Sequence, residues 1–166
     1  MTVEITKVHT EAEINKLAEQ AVGIWNEHYV GIITKEQVDY MIGKYQSAEA
    51  VTRQIETEGY EYFNLNVIQA PIGYMAVKEK SGKLFLSKLY MQKESRGNGY
   101  ASEAMLFLED LCTQRGLEAI WLTVNRENLH TIDVYKKKGF NIIAEEVNDI
   151  GHGFVMDDYI MEKRVK

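Results

Sequence analysis

The segment Arg96-Gly-Asn-Gly-Tyr-Ala101 is the place where residue types and spacing most readily do chemistry. Glycines lack a Cβ, so a chain carrying them at 97 and 99 can turn sharply and bring its backbone against a ligand. A helical pattern begins at once behind them. The first turn of a helix offers unpaired N–H groups and the positive end of its dipole. A phosphate or pyrophosphate suits that position, and Arg96 adds a fixed positive charge. Gly97 and Gly99 are also compatible with a tight strand-to-helix turn that binds nothing. Tyr135 reads as a core aromatic on a helix face shared with Ile132 and Leu129. Metal chemistry has no support. The four histidines, His9, His28, His130 and His152, are scattered and show no ligand spacing with Cys112. Cys112 falls on an apolar helix face, where a thiol is core rather than nucleophile.

The elements that must position these groups follow from periodicity. Thr2–Val8 alternates weakly and reads as a strand. Thr10-Glu-Ala-Glu13 fits a capping box, and a helix follows to about Tyr29, with Ile14, Leu17, Ala18, Ala21, Val22 and Trp25 on one face. Thr34-Lys-Glu-Gln37 is a second capping box, with Val38, Met41, Ile42 and Tyr45 behind it, and Ser47 caps a third helix to about Glu58. Tyr60–Ile68, Ile72–Glu79 and Leu84–Met91 read as strands, the last two joined by the turn Lys80-Ser-Gly-Lys83. Gly97–Arg115 is the clearest helix, with Ala101, Ala104, Met105, Leu108, Leu111 and Cys112 inward. Ala119–Val124 is a continuous apolar run, as in a strand covered on both faces. A helix over about Glu127–Lys138 ends in three lysines and Gly139, and Phe140–Val147 and Phe154–Met161 are the last strands. Residues 84–124 form a strand–helix–strand unit, which demands a right-handed parallel crossover. The fold class is α+β (mixed α/β), one domain over residues 1–166: a mixed, mostly antiparallel sheet of about seven strands with helices on both faces. A dinucleotide fingerprint does not fit, because Ser102 stands where the third glycine belongs and three strands that read as an antiparallel meander precede the loop.

The loop resembles the acetyl-CoA signature of the GNAT superfamily of N-acetyltransferases, Gln/Arg-x-x-Gly-x-Gly/Ala, at Arg96, Gly99 and Ala101. The resemblance extends to the whole of Leu89-Tyr-Met-Gln-Lys-Glu-Ser-Arg-Gly-Asn-Gly-Tyr-Ala101. A second motif lies in Val124-Asn-Arg-Glu-Asn128, Val134-Tyr135 and Lys138-Gly-Phe140. The likeness covers about residues 60–161. Within the family, the C-terminal stretch Gly153–Met161, Tyr135–Phe140 and Trp25-Asn-Glu-His-Tyr29 are similar to bacterial diamine and polyamine acetyltransferases.

The resemblance implies an enzyme that moves acetyl from acetyl-CoA to a primary amine by direct attack through a tetrahedral intermediate. The cosubstrate would sit at a parallel splay between the strands ending near Met91 and Val124. Backbone groups of Leu89 and Met91, with Tyr90 between them, would bind the pantetheine arm and the acetyl carbonyl, where an N–H stabilises an oxyanion. Arg96, Gly97, Asn98, Gly99, Tyr100, Ala101 and Ser102 would bind the pyrophosphate, and Asn128 would contact the cosubstrate from the later helix. Tyr135 matches the tyrosine that donates a proton to the departing thiolate. A phenol near pKa ~10 gives its proton uphill to a thiolate near ~8.5, so a preorganised hydrogen bond must do part of the work. The general base is a gap. Many relatives carry a glutamate that aligns with Ser87, and Lys88 beside it cannot substitute while charged. A water chain, Glu27, His28 or Tyr90 are the substitutes on offer. Trp25, Tyr29 and Tyr90 could hold an alkylammonium by cation–π contact. Glu27, Asp39, Asp157 or Asp158 could bind a second amine, or be ordinary solvated carboxylates.

Composition narrows the classes. The 166 residues carry a formal net charge of −6, which argues against a nucleic-acid binder and suits a cationic substrate, or simply solubility. One cysteine excludes an internal disulfide, no apolar run reaches the about 18 residues of a membrane span, and the N-terminus is not a signal peptide. The expectation is a soluble cytoplasmic enzyme, acting on a small-molecule amine without nucleic-acid or membrane partners, and a homodimer by family habit. A protein N-terminal or lysine acetyltransferase and a non-catalytic acyl-CoA-binding module are the competing readings.

Overall fold

The structure, a computed structural model, describes residues 2–166. Its element order is β1 (Glu4–Lys7), α1 (Glu11–His28), α2 (Lys35–Met41), α3 (Ala48–Thr57), β2 (Glu61–Val67), β3 (Ala70–Lys80), β4 (Lys83–Met91), α4 (Tyr100–Arg115), β5 (Ala119–Asn125), α5 (Leu129–Lys137), β6 (Asn141–Gly151) and β7 (Phe154–Arg164). A π turn (Ile42–Gln46) follows α2 and a 3₁₀ turn (Lys93–Ser95) follows β4. The strands form one seven-stranded sheet in the order β1-β2-β3-β4-β5-β7-β6. β4 and β5 are parallel, and the outer pairs β1–β2, β2–β3, β5–β7 and β6–β7 are antiparallel. This is the mixed, mostly antiparallel α+β sheet expected from the sequence. Among the described residues no helix is long and apolar enough to cross a membrane.

The chain resolves into two compact units, one of residues up to Lys78 with Lys88–Leu106, the other of Glu79–Ser87 with Phe107–Lys166. In the first unit α1 begins on a complete capping box: Thr10 Oγ1 accepts from the Glu13 N–H at 3.1 Å and the Glu13 carboxylate from the Thr10 N–H at 2.8 Å. Its buried stripe is Ile14, Leu17, Ala21, Ile24 and Trp25. Val22 is exposed instead, since it lies about 100° round the helix from Ala21. Thr34 and Ser47 cap α2 and α3 by accepting from Gln37 and Ala50 N–H at 3.1 Å each. The π turn is the feature that periodicity did not anticipate. Its wider winding shifts the inward position by a residue, so Gln46 is fully buried while Ile42 and Tyr45 are only partly covered.

In the second unit the core is Leu84, Leu108, Ile120, Leu122, Phe140 and Met161. Of the α4 face expected to be inward, Leu108 and Cys112 are buried in this unit, whereas Leu111 is only partly covered. Burial pushes the Cys112 thiol up to about 11, which keeps it protonated and unreactive. β6 continues four residues past the expected Val147, because its pairing with β7 runs on to Gly151↔Phe154 although its side chains are mostly exposed.

Candidate active site

The first unit carries the glycine-rich loop. Gly97 and Gly99 adopt φ of +81° and +78°, the left-handed region that side chains resist. A Cβ at either would meet nothing within 4 Å, so the requirement is conformation rather than space. Asn98 Nδ2 donates to the Ser95 and Arg96 carbonyls at 3.1 and 3.3 Å and braces the loop from within. The first bond of the helix runs from the Glu103 N–H to the Gly99 carbonyl at 3.3 Å. The N–H groups of Tyr100 and Ala101 therefore lie ahead of the helical ladder, aimed outward at the positive end of its dipole. This cradle fits a pyrophosphate. Arg96 is not isolated there. Its guanidinium forms a two-pronged ion pair with Glu27 at the end of α1, with Nη1 to Oε1 at 3.0 Å, and Nη2 also donates to the Met91 carbonyl at 3.2 Å. The hydrogen bonds from Arg96 hold the Glu27 carboxyl below its usual range, so Glu27 is a poor base in this arrangement.

The end of β4 is held at unusually close quarters. A Cβ at Gly73 in β3 would fall 2.1 Å from the Tyr90 carbonyl oxygen and 3.1 Å from Met91 Cα. The Gln92 N–H donates to the Ile72 carbonyl at 2.7 Å beside it. Position 73 thus sets the course of Leu89-Tyr-Met91, the backbone expected to bind the acyl group.

Around Tyr90 gather the aromatic residues singled out from the sequence. Trp25 and His28 approach its ring edge-on at 5.4 and 5.2 Å, and the Tyr29 and Tyr90 hydroxyls are 3.1 Å apart. Trp25 and Tyr29 are themselves buried, whereas Tyr90 and His28 keep part of their surface. Burial, with the Arg96 charge nearby, lowers His28 to about 4, so it is neutral at pH 7 but only a feeble proton acceptor.

Two features here escaped sequence reading. One is a buried relay behind Trp25. The indole N–H donates to Tyr74 at 2.7 Å, and the Tyr74 hydroxyl donates to Gln46 Oε1. Gln46 Nε2 donates to Tyr62 at 3.0 Å, Tyr62 to Gln54 Oε1 at 2.6 Å, and Gln54 Nε2 to the Tyr45 carbonyl at 2.7 Å. Every group in the chain of bonds is satisfied, and such a network fixes side chains in one arrangement. The other is Lys88, whose ammonium lies 5.6 Å from both the Tyr60 and Tyr62 ring centres. Burial lowers it to about 8, which leaves it mostly charged at pH 7. The signal was present: Leu84, Leu86 and Lys88 alternate on one face of β4, and the first two are core.

The second unit carries the other expected residues. Asn128 caps α5, its Oδ1 accepting from the Thr131 N–H at 3.4 Å, and is buried. Tyr135 packs edge-on against Phe140 at 5.3 Å and is partly covered; burial raises its hydroxyl above the usual phenol range, so it stays a proton-bearing donor. Leu129, expected beside it, is exposed, and only Ile132 of that face is buried. Asp157 is committed to Arg126 at 2.9 Å, and Arg126 also pairs with Glu145 at 2.8 Å. Asp158 is buried with one carboxylate oxygen lacking any hydrogen-bond partner. Asp39, in the first unit, is a surface residue paired with Lys35 at 3.0 Å. Among the described residues no three His, Cys, Asp or Glu are placed to hold a metal ion.

Comparison with known proteins agrees with this geometry. Residues 24–140 match the acetyltransferase (GNAT) family model. The chain is similar to the PaiA N-acetyltransferase of Thermoplasma acidophilum, solved in complex with coenzyme A, at 25% identity and a TM-score of 0.81 over 99% of both chains. It resembles a spermidine N-acetyltransferase SpeG chimera from Vibrio cholerae and hSSAT at 16% identity and a TM-score of 0.70, over 99% of this chain and 96% of that one. It also resembles the Escherichia coli ribosomal-protein-S18-alanine N-acetyltransferase at 16% identity and a TM-score of 0.67, over 99% and 95%. A search of curated proteins gives no match. With a family model over most of its length and a coenzyme A-bound relative of the same fold, the chain belongs to the GNAT acetyltransferase family and is an acyl-CoA-dependent N-acetyltransferase.

Proposed function

We propose that this acetyltransferase acts on the primary amine of a small cationic molecule, with polyamines as the favoured class. The observation that carries the reading is Tyr90. Its ring keeps part of its surface, is backed by Trp25 and His28, and sits in the strand end expected to hold the acyl group. An aromatic face of this kind attracts an alkylammonium. The net charge of −6 favours the approach of a cation.

Backbone N–H groups at the start of α4 and the Arg96 guanidinium receive the pyrophosphate of acetyl-CoA, and the Leu89 and Met91 backbone orients the thioester. For Arg96 to bind phosphate it trades one anionic partner, Glu27, for another. Tyr135 is assigned the proton donated to the coenzyme A sulfur as the thioester bond breaks, and its raised pKa keeps that proton in place until then. The Tyr135→Phe variant tests the assignment. It should lose on the order of 100-fold or more in kcat while binding coenzyme A as the wild type does. Unchanged turnover would remove Tyr135 from the mechanism. The Escherichia coli neighbour acts on a ribosomal-protein alanine, so peptide amines belong in the acceptor panel beside polyamines.

A further inference from the structure

Asp158 lies on β7, where its strand partners are Asn125 at the C-terminal end of β5 and Glu146 on β6. It is 4% exposed. Its Oδ1 has no hydrogen-bond partner. The charged groups bearing on it are both carboxylates, Glu146 across the strand and Asp157 beside it, while Asn125 is neutral. The nearby cation, Arg126, is spent on Asp157 and Glu145 and lies over the Tyr159 ring at 4.8 Å. Residues 157 and 159 alternate with 158, so that cluster belongs to the opposite face of the strand. A buried carboxylate without donor or counter-charge is costly, and native chains pair nearly all such groups. What this one lacks is a cation bearing N–H donors.

Its position says which cation. The register Phe85↔Trp121 puts the odd-numbered residues of β4 and β5 on a common face, and Asn125↔Asp158 adds Asp158 to it. Ser87 is on that face, at the position where the resembling enzymes carry their glutamate. Asp158 also stands at the carboxyl end of β5, directly before the turn that leads to Asn128 and Tyr135.

We propose that Asp158 is the proton acceptor of this enzyme, supplying from β7 the carboxylate that position 87 lacks. The inference rests on the reading that the acceptor is an amine. Asp158 binds the substrate ammonium and takes one proton, leaving a neutral amine and a carboxylic acid. The nitrogen lone pair forms the C–N bond to the thioester carbonyl, and the C–S bond breaks with its electron pair on sulfur. Tyr135 protonates the sulfur. The surplus proton on nitrogen passes to solvent, which restores the Tyr135 phenol, and Asp158 returns its own proton to solvent.

Burial first, then Glu146 and Asp157, raises the Asp158 carboxyl to about 6. It is therefore ionised at pH 7 and close enough to neutrality to accept a proton. The sign for stability follows. The folded state holds this proton more tightly than the unfolded chain between about pH 4 and 6, so the residue destabilises the fold increasingly as pH rises through that window. Asp158→Asn should thus raise the melting temperature at pH 7.5, which a carboxylate kept for structure would not do. The same variant should lose about 100-fold or more in kcat/KM for the amine at pH 7, keep coenzyme A affinity within about twofold, and lose the fall in kcat/KM seen below about pH 6. Asp158→Glu, which keeps the acid, should recover part of the rate. Turnover by Asp158→Asn within a few-fold of wild type, or a lower melting temperature with coenzyme A binding lost, overturns the assignment. If the wild type itself acetylates no amine, the proposed function fails first and this assignment with it.

Discussion

Replacing Gly73 with alanine should disable the acyl site from the neighbouring strand. The added Cβ would lie 2.1 Å from the Tyr90 carbonyl oxygen, where ordinary contact begins at 3.4 Å, so the two must part by about 1.3 Å. The obstacle is backbone on both sides, and no rotamer change relieves it. Overpacking of this kind costs about 1–3 kcal/mol of stability. The displacement falls on Tyr90 and Met91, whose backbone is assigned to the thioester, and a shift of about 1 Å in a positioned group can cost about 100-fold in rate. Urea melts should give a lower midpoint with unchanged slope, and steady-state kinetics a reduced kcat together with a raised KM for acetyl-CoA. A Gly73→Ala enzyme with wild-type midpoint and wild-type kcat would refute the idea that this contact sets the course of β4.

Gln46→Leu should be among the most damaging conservative-sized changes in the chain. It removes the acceptor of Tyr74 and a donor to Tyr62 together, at about 1–3 kcal/mol for each buried group left unpaired, and denaturant melts read the sum. His28, held at about 4 against about 6.5 when unfolded, makes the unfolded chain the stronger proton binder between those values. Its contribution to stability is therefore lost as pH falls from about 6.5 towards 4. The difference in urea midpoint between wild type and His28→Gln should change across that window and flatten above it.

Much of the fold was legible because its signals are local. The capping residues Thr10, Thr34 and Ser47 each sit where a helix begins, and the apolar run from Ala119 marks the central parallel strand. The site was legible where a motif forces backbone chemistry, as at Gly97 and Gly99. What stayed hidden depends on tertiary placement. Gln46 became a core residue because a π turn advanced the winding, and Gln54 and Tyr62 found it from elsewhere in the chain. Lys88 was readable by alternation alone, but a lysine in a strand is more often at the surface. Glu27 and Arg96 are 69 residues apart, and nothing in either segment announces the ion pair. Asp158 read as one carboxylate among several. Only its burial and its lack of a partner separate it from Asp157, which is paired, and Asp39, which is at the surface.

Thiol release from acetyl-CoA, followed against putrescine, spermidine, spermine, amino sugars and short peptides, tests the central claim most directly. The account predicts turnover with the cationic small amines, at kcat/KM well above that for any peptide, and a product heavier by one acetyl group. Turnover confined to peptides would contradict the small-amine assignment, and binding of acetyl-CoA with no thiol release from any amine would contradict the catalytic one.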